Sequence, residues 1–311
     1  MHDLDLRFDA DDPHHDYTTD GLPIKRTEFI TSLMSLDEVA HCLIRHGCTD
    51  ISSDLDLRAA KELYIWTRTS HPGILKPLGF AQFRGQIALI SPWMDNGSLR
   101  TYLARHLDAN RVQLCIQAAQ ALEHLHSSGI VHGDMKPDNI MLSDDGRAQL
   151  ADFGSAMLTE DFTLNFTKTT CKYTLRFAAP ELLDDTSEHT TKTDIYALGM
   201  TILSIMTGKQ PFYNKRDHAI MMAVTLKKVR PTRSEYSTFA GSKWANDRLW
   251  DLLERCWAHA PKYRPTAAEL VEIERGAHVS SKQNPPRTWQ DTLVAVIDVV
   301  FFLLFLCFLM A

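Results

Sequence analysis

The run His132-Gly133-Asp134-Met135-Lys136-Pro137-Asp138-Asn139 puts a carboxylate, a lysine two residues on and an amide five residues on into one short stretch. On a tight loop these side chains converge, and phosphoryl transfer needs such a set. Asp134 would accept the proton of an attacking hydroxyl and orient it. Lys136 would neutralise the γ-phosphate, and Asn139 would hold a magnesium ion (Mg2+). Thirteen residues after Asn139 comes Asp152-Phe153-Gly154. Asp152 can ligate a magnesium bridging the β- and γ-phosphates, and Gly154 lets the backbone turn sharply beside it.

Elements must carry these residues to one place. A helical run from Leu55 to Thr69 ends before the breaker His71-Pro72-Gly73. Residues 75–93 alternate short apolar runs around Arg84-Gly85, which predicts a hairpin. From Ser98 the pattern turns helical: Leu114, Ala118, Leu122 and Leu125 recur at helical spacing, and Ser127-Ser128-Gly129 stops that helix. A small strand-rich part followed by a larger helical part predicts an α+β, two-lobed layout.

In this order the motifs resemble those of the protein kinase family, whose catalytic loop reads His-Arg-Asp and whose metal loop reads Asp-Phe-Gly. Thr174-Leu175-Arg176-Phe177-Ala178-Ala179-Pro180-Glu181 is similar to the segment closing the family's activation loop, and Thr193-Asp194-Ile195-Tyr196-Ala197-Leu198-Gly199 to the buried helix whose Asp holds the catalytic-loop backbone. Tyr263-Arg264-Pro265-Thr266 resembles the late element whose arginine pairs with the glutamate of that closing segment, here Glu181. The resemblance covers about residues 60–275. It implies ATP and Mg2+ in a cleft between two lobes, with Asp134 and Lys136 catalytic and Asn139 and Asp152 as metal ligands. Lys136, together with Thr174 in Thr-x-Arg-Phe-x-Ala-Pro-Glu, resembles the tyrosine-kinase-like branch of the serine/threonine kinases. Protein substrates carrying serine or threonine are therefore implied. Leu89 to Leu99 resembles the hinge, with Ser91 as gatekeeper, the Pro92 carbonyl and the Met94 N–H offered to adenine, and Met141 beneath the ring. Small-molecule phosphotransferases share the His-Gly-Asp and the following Asn, but lack the Ala-Pro-Glu closure and the Asp-x-Tyr-x-x-Gly helix.

The N-terminal part departs from the family pattern. No Gly-x-Gly-x-x-Gly precedes the hinge, and the Val-Ala-x-Lys strand appears as Val39-Ala40-His41-Cys42, where Ala40 would line the adenine pocket. The lysine position then holds His41 or Cys42, and Glu62 in Lys61-Glu62-Leu63 would lack its cation. Two readings stand side by side: a kinase in which another cation such as Lys25 substitutes, and a pseudokinase that keeps the fold and acts through binding. Gly133 replaces the arginine that pairs with a phosphorylated activation loop, so Thr167, Thr169 and Thr170 would have little to grip when modified.

The flanks predict further parts. Residues 1–27 are polar and acidic and are expected to lack order, with seven aspartates against Arg7 in the first twenty and no secretory signal pattern. The small lobe is expected over 28–90, the hinge over 91–97, the large lobe over 98–276 and a linker over 277–292. Of residues 293–311, fourteen are Leu, Ile, Val or Phe, and Asp298 is the one charge. At about 1.5 Å per residue the stretch reaches ~28 Å, near the ~30 Å hydrocarbon core. It reads as a C-terminal hydrophobic helix, a transmembrane tail anchor holding the rest at a membrane in the cytosol. The formal charge of −6 speaks against a nucleic-acid partner, and six scattered cysteines fit reduced thiols in a cytosolic compartment.

Overall fold

The computed structural model of the chain describes residues 62–271, except 64, 67, 84–85, 159–173, 185–187 and 240–243. The expectations for Ala40, His41, Cys42 and Lys25, for the acidic segment, and for the apolar stretch 293–311 therefore lie outside the described residues. Among the described residues no helix is long and apolar enough to cross a membrane.

The small part holds helix α1, helical at 62, 63, 65, 66 and 68, and a hairpin of β1 (Gly79–Phe83) and β2 (Gln86–Ile90). The strands pair antiparallel from Gly79 opposite Ile90 to Phe83 opposite Gln86. The hairpin expected around Arg84-Gly85 is present, and the strands are shorter than the 75–93 window. The irregular stretch 91–98 leads to α2 (Leu99–Arg105), whose start is fixed by Ser98 accepting from the Thr101 N–H.

The larger part is helical. In α3 (Arg111–Ser127) the Asn110 side chain caps the N-terminus, and Leu114, Ala118, Leu122 and Leu125 are buried on one side. Gly129 follows at φ +71°, the left-handed exit that glycine takes without strain. Short antiparallel pairs then carry the chemistry-bearing loops: β3 (Ile130–Val131) with β6 (Met157–Leu158), and β4 (Ile140–Leu142) with β5 (Ala148–Leu150). A short α4 (Pro180–Leu183) leads to α5 (Thr191–Thr207), opened by a reciprocal Thr190–Thr193 capping box and closed by Gly208 at φ +68°.

Helix α5 is the axis of the core, with every residue from Thr193 to Met206 buried. A helix buried on every side has to be enclosed by others, and its Thr193, Asp194, Thr201 and Ser204 are buried with it. It packs against α7 (Trp244–Cys256) at Gly199, where an added Cβ would lie 2.7 Å from the Cys256 Cβ. Burial pushes the Cys256 thiol up to about 12. Helix α6 (Asp217–Thr225) lies at the surface and buries only Ile220 and Val224.

Candidate active site

The loop after β3 is held from below by one carboxylate. Asp194 on α5, 1% exposed, accepts from the His132 N–H at 2.8 Å, the Gly133 N–H at 2.9 Å and the His126 ring at 2.9 Å. Burial, the largest influence, pushes this carboxyl up. The His126 hydrogen bond, the charges of His126 and His132 and the Gly133 N–H outweigh it and hold the group below the usual carboxylate range. Gly133 has φ +82°, and a Cβ there would come within 2.5 Å of the Ser155 carbonyl oxygen. The glycine thus lets the 132–134 loop lie directly against the turn after Asp152.

Both oxygens of Asp134 are engaged. The Thr174 hydroxyl donates to Oδ1 at 2.8 Å, and Lys136 Nζ donates to Oδ2 at 2.5 Å. Asn139 Nδ2 reaches Oδ2 at 3.0 Å and the Asp134 carbonyl at 2.9 Å. Lys136 also donates to the Thr174 hydroxyl at 2.9 Å. The 3-10 turn Pro137–Asn139 brings the amide back over the loop. Four residues predicted to act together therefore touch. With the NH2 of Asn139 on Asp134, its side-chain oxygen is the atom of that amide that can act as an acceptor.

Asp152 sits at φ 59° and is exposed, with Oδ1 accepting from the Gly154 N–H at 3.3 Å. The Ala151 N–H donates to the Asn139 carbonyl at 2.9 Å, tying the two proposed metal-ligand segments together. Phe153, fully buried, lies edge-on to Trp66 with centroids 6.1 Å apart and against His132 at 5.2 Å. Glu62 is part of the same assembly: its Oε1 accepts the Phe153 N–H at 3.1 Å. Glu62 is thus tied to the loop of Asp152 through a backbone donor, while the positions from which a cation was expected lie outside the described residues.

At the hinge, the Gly97 N–H donates to the Met94 carbonyl at 2.8 Å, and the Leu142 N–H to the Gly97 carbonyl at 3.0 Å. Gly97, at φ +65°, makes that turn. Met141 is the half-buried residue of β4, between buried Ile140 and Leu142, and its backbone bridges Ser98. Met94 and Met141 thus meet the same turn, with Pro92 half-buried two residues before Met94 and Ser91 exposed rather than enclosed.

Two contributors escape a sequence reading. His126 carries only the weak signal of a basic residue in the last turn of α3. Arg176 donates to the carbonyls of Pro211 (3.0 Å), Phe212 (2.8 Å) and Lys215 (2.9 Å) and to Asp217 at 2.8 Å, fixing the segment that carries Thr174. The pairing of Arg264 with Glu181 is as expected: bidentate, at 2.6 and 2.8 Å, with the arginine side chain fully buried. Among the described residues no three His, Cys, Asp or Glu cluster as a metal cage.

Residues 44–274 match the Protein kinase domain family. The match begins beyond Ala40. Serine/threonine/tyrosine-protein kinase HT1 of Arabidopsis thaliana is 27% identical over 250 residues, covering 77% of this chain and 60% of that protein. Serine/threonine-protein kinase STY46 of the same plant is 25% identical over 226 residues, 71% of this chain and 37% of that one. Serine/threonine-protein kinase BCK1/SLK1/SSP31 of Saccharomyces cerevisiae is 29% identical over 228 residues, 72% and 15% respectively. The chain thus spans 15% to 60% of the length of these three relatives. With the domain matched over most of its length and its loops built as described, the chain belongs to the protein kinase family.

Proposed function

We propose that this chain transfers the γ-phosphate of ATP to serine or threonine hydroxyls of protein substrates. The observation that carries the proposal is the Asp134 carboxylate, aimed and held by Thr174, Lys136 and Asn139 at 2.5 to 3.0 Å. In the ground state Lys136 lies on Asp134; a phosphoryl oxygen competing for its ammonium leaves Oδ2 to take the acceptor's proton. Thr174 lies beside that oxygen pair and favours a short aliphatic hydroxyl over a phenol, which must reach across a ring. Asn139 and Asp152 supply the oxygen donors that fit Mg2+, and bound metal-ATP supplies the polarised phosphoryl group. Pro92, Met94 and Met141, with Ala40 from the small lobe, would line the adenine side. Proline removes no donor there, since adenine asks position 92 only for a carbonyl.

Beyond the site, the proposal divides the chain into an acidic segment (1–27), a small lobe (28–90), a hinge (91–97), a large lobe (98–276), a linker (277–292) and an apolar tail (293–311). The tail would hold the kinase at the cytosolic side of a membrane, on the strength of its fourteen Leu, Ile, Val and Phe residues. The test of the chemistry is acid hydrolysis of a generic protein substrate labelled with radioactive ATP and Mg2+. Phosphoserine and phosphothreonine are expected; phosphotyrosine alone would refute the assignment of Thr174 and Lys136.

A further inference from the structure

Helix α6 turns Ile220 and Val224 into the core and leaves its opposite side uncovered. Met221 is 43%, Met222 54% and Leu226 69% exposed, large values for apolar side chains standing together on one short element. Met222 and Leu226 are one turn apart on the side away from Ile220 and Val224. Exposed Arg216 stands at the start of the helix and exposed Lys227, Lys228 and Arg230 follow Leu226 in the chain, and among the described residues none of these four is paired with a carboxylate. The nearest acid on the helix, Asp217, is taken by Arg176. The surface is an apolar stripe with a cationic border, and it fits a partner with alternating apolar and acidic residues.

The start of the chain supplies such a segment. Residues 1–20 hold seven aspartates and Arg7, a net −6, which equals the formal charge of the whole chain and leaves residues 21–311 electroneutral. Within it Leu4, Leu6 and Phe8 alternate with Asp3, Asp5 and Asp9. Drawn out, such a segment has one apolar edge and one largely acidic edge, with apolar neighbours ~6.7 Å apart. Met222 and Leu226 are separated by a rise of about 6 Å. Residues 13–27 alone, extended, reach about 50 Å. A compact body of the 210 residues from 62 to 271 has a radius of gyration of only ~17 Å.

We propose that residues 3–12 dock in the same chain on the exposed side of α6, their leucines and phenylalanine over Met221, Met222 and Leu226 and their aspartates toward Lys227 and Lys228. The inference is independent of phosphoryl transfer, and so is its test. The full chain in mild detergent is treated with a water-soluble carbodiimide, which joins carboxylates to amines in direct contact, and is mapped by mass spectrometry. Bonds from Asp3, Asp5, Asp9, Asp11 or Asp12 to Lys227 or Lys228 are expected. They should fall at least about tenfold in Met222→Ser/Leu226→Ser, which keeps both lysines and alters only exposed positions. Equal mixing of ordinary and nitrogen-15 chains should give only unmixed pairs. Bonds scattered over other lysines, no such bonds, no change in the double variant, or mixed-isotope pairs, which mean docking on a second copy, would each overturn the proposal.

Discussion

Gly133 occupies a position that only glycine fills without strain. Its φ of +82° is left-handed, and the space a Cβ needs is taken by the Ser155 carbonyl 2.5 Å away. Gly133→Ala should therefore cost about 1–2 kcal/mol in backbone conformation and about 1–3 more in overpacking. A thermal midpoint lowered by roughly 5–15 °C is the expected result, read by calorimetry. The same glycine has no guanidinium to offer a phosphorylated loop. Replacing Thr167, Thr169 and Thr170 together by alanine should leave the transfer rate within about twofold of the parent, since a charge-assisted bond to the Gly133 side chain is impossible. A loss of activity in that triple variant, measured beside the parent on one protein substrate, would contradict this. Asp134, Lys136 and Asn139 were legible because they are close in sequence and their charges define the chemistry. Arg176 was not, since its partners are mostly carbonyls, and every residue has one.

Between elements, two carboxylates make the connections, and the resemblance to the family implied the second of them. Glu62 links α1 to the metal loop through the Phe153 N–H at 3.1 Å, beside the Trp66–Phe153–His132 ring contacts. A hydrogen bond to a charged acceptor contributes about 1.5–3 kcal/mol, so Glu62→Ala should slow transfer by roughly 10- to 100-fold. The Phe153 amide should exchange faster with deuterium in that variant; unchanged exchange would place the effect elsewhere. A motif reading places Glu62 only opposite an absent lysine, because it cannot see a backbone donor brought from 91 residues away. Asp194 is the second case. Its folded-state pKa is depressed, so its stabilisation is fully present above the ordinary value of 3.8 and is lost as pH falls through the lower folded value. The parent should exceed Asp194→Asn in stability most at neutral pH, and the gap should narrow below about pH 4. Urea unfolding of both proteins at pH 7, 4 and 3 checks it. A gap that widens on acidification would reverse the sign.

At the scale of the molecule, α5 carries the site. Buried along nearly its whole length, it presents Asp194 to the catalytic loop, takes α7 against Gly199, and accepts Arg111 at the Ile205 carbonyl. The Arg264–Glu181 pair closes the far side of the same core, anchoring the segment that ends near Thr174. The two-part layout, the hairpin and α3 were readable from apolar spacing, because burial repeats at 2 and 3.6 residues. The enclosure of α5 was readable only through resemblance, since a helix buried on every side has no amphipathic signature. The central claim is that this scaffold holds Asp134 ready to accept a hydroxyl proton in phosphoryl transfer. The most direct test measures transfer from labelled ATP with Mg2+ to a protein substrate by the full chain and by its Asp134→Asn variant, with circular dichroism confirming that both fold. Loss of the proton acceptor should lower the rate by about 10²- to 10⁴-fold. Equal transfer by both proteins, or none by the folded parent, would contradict the account.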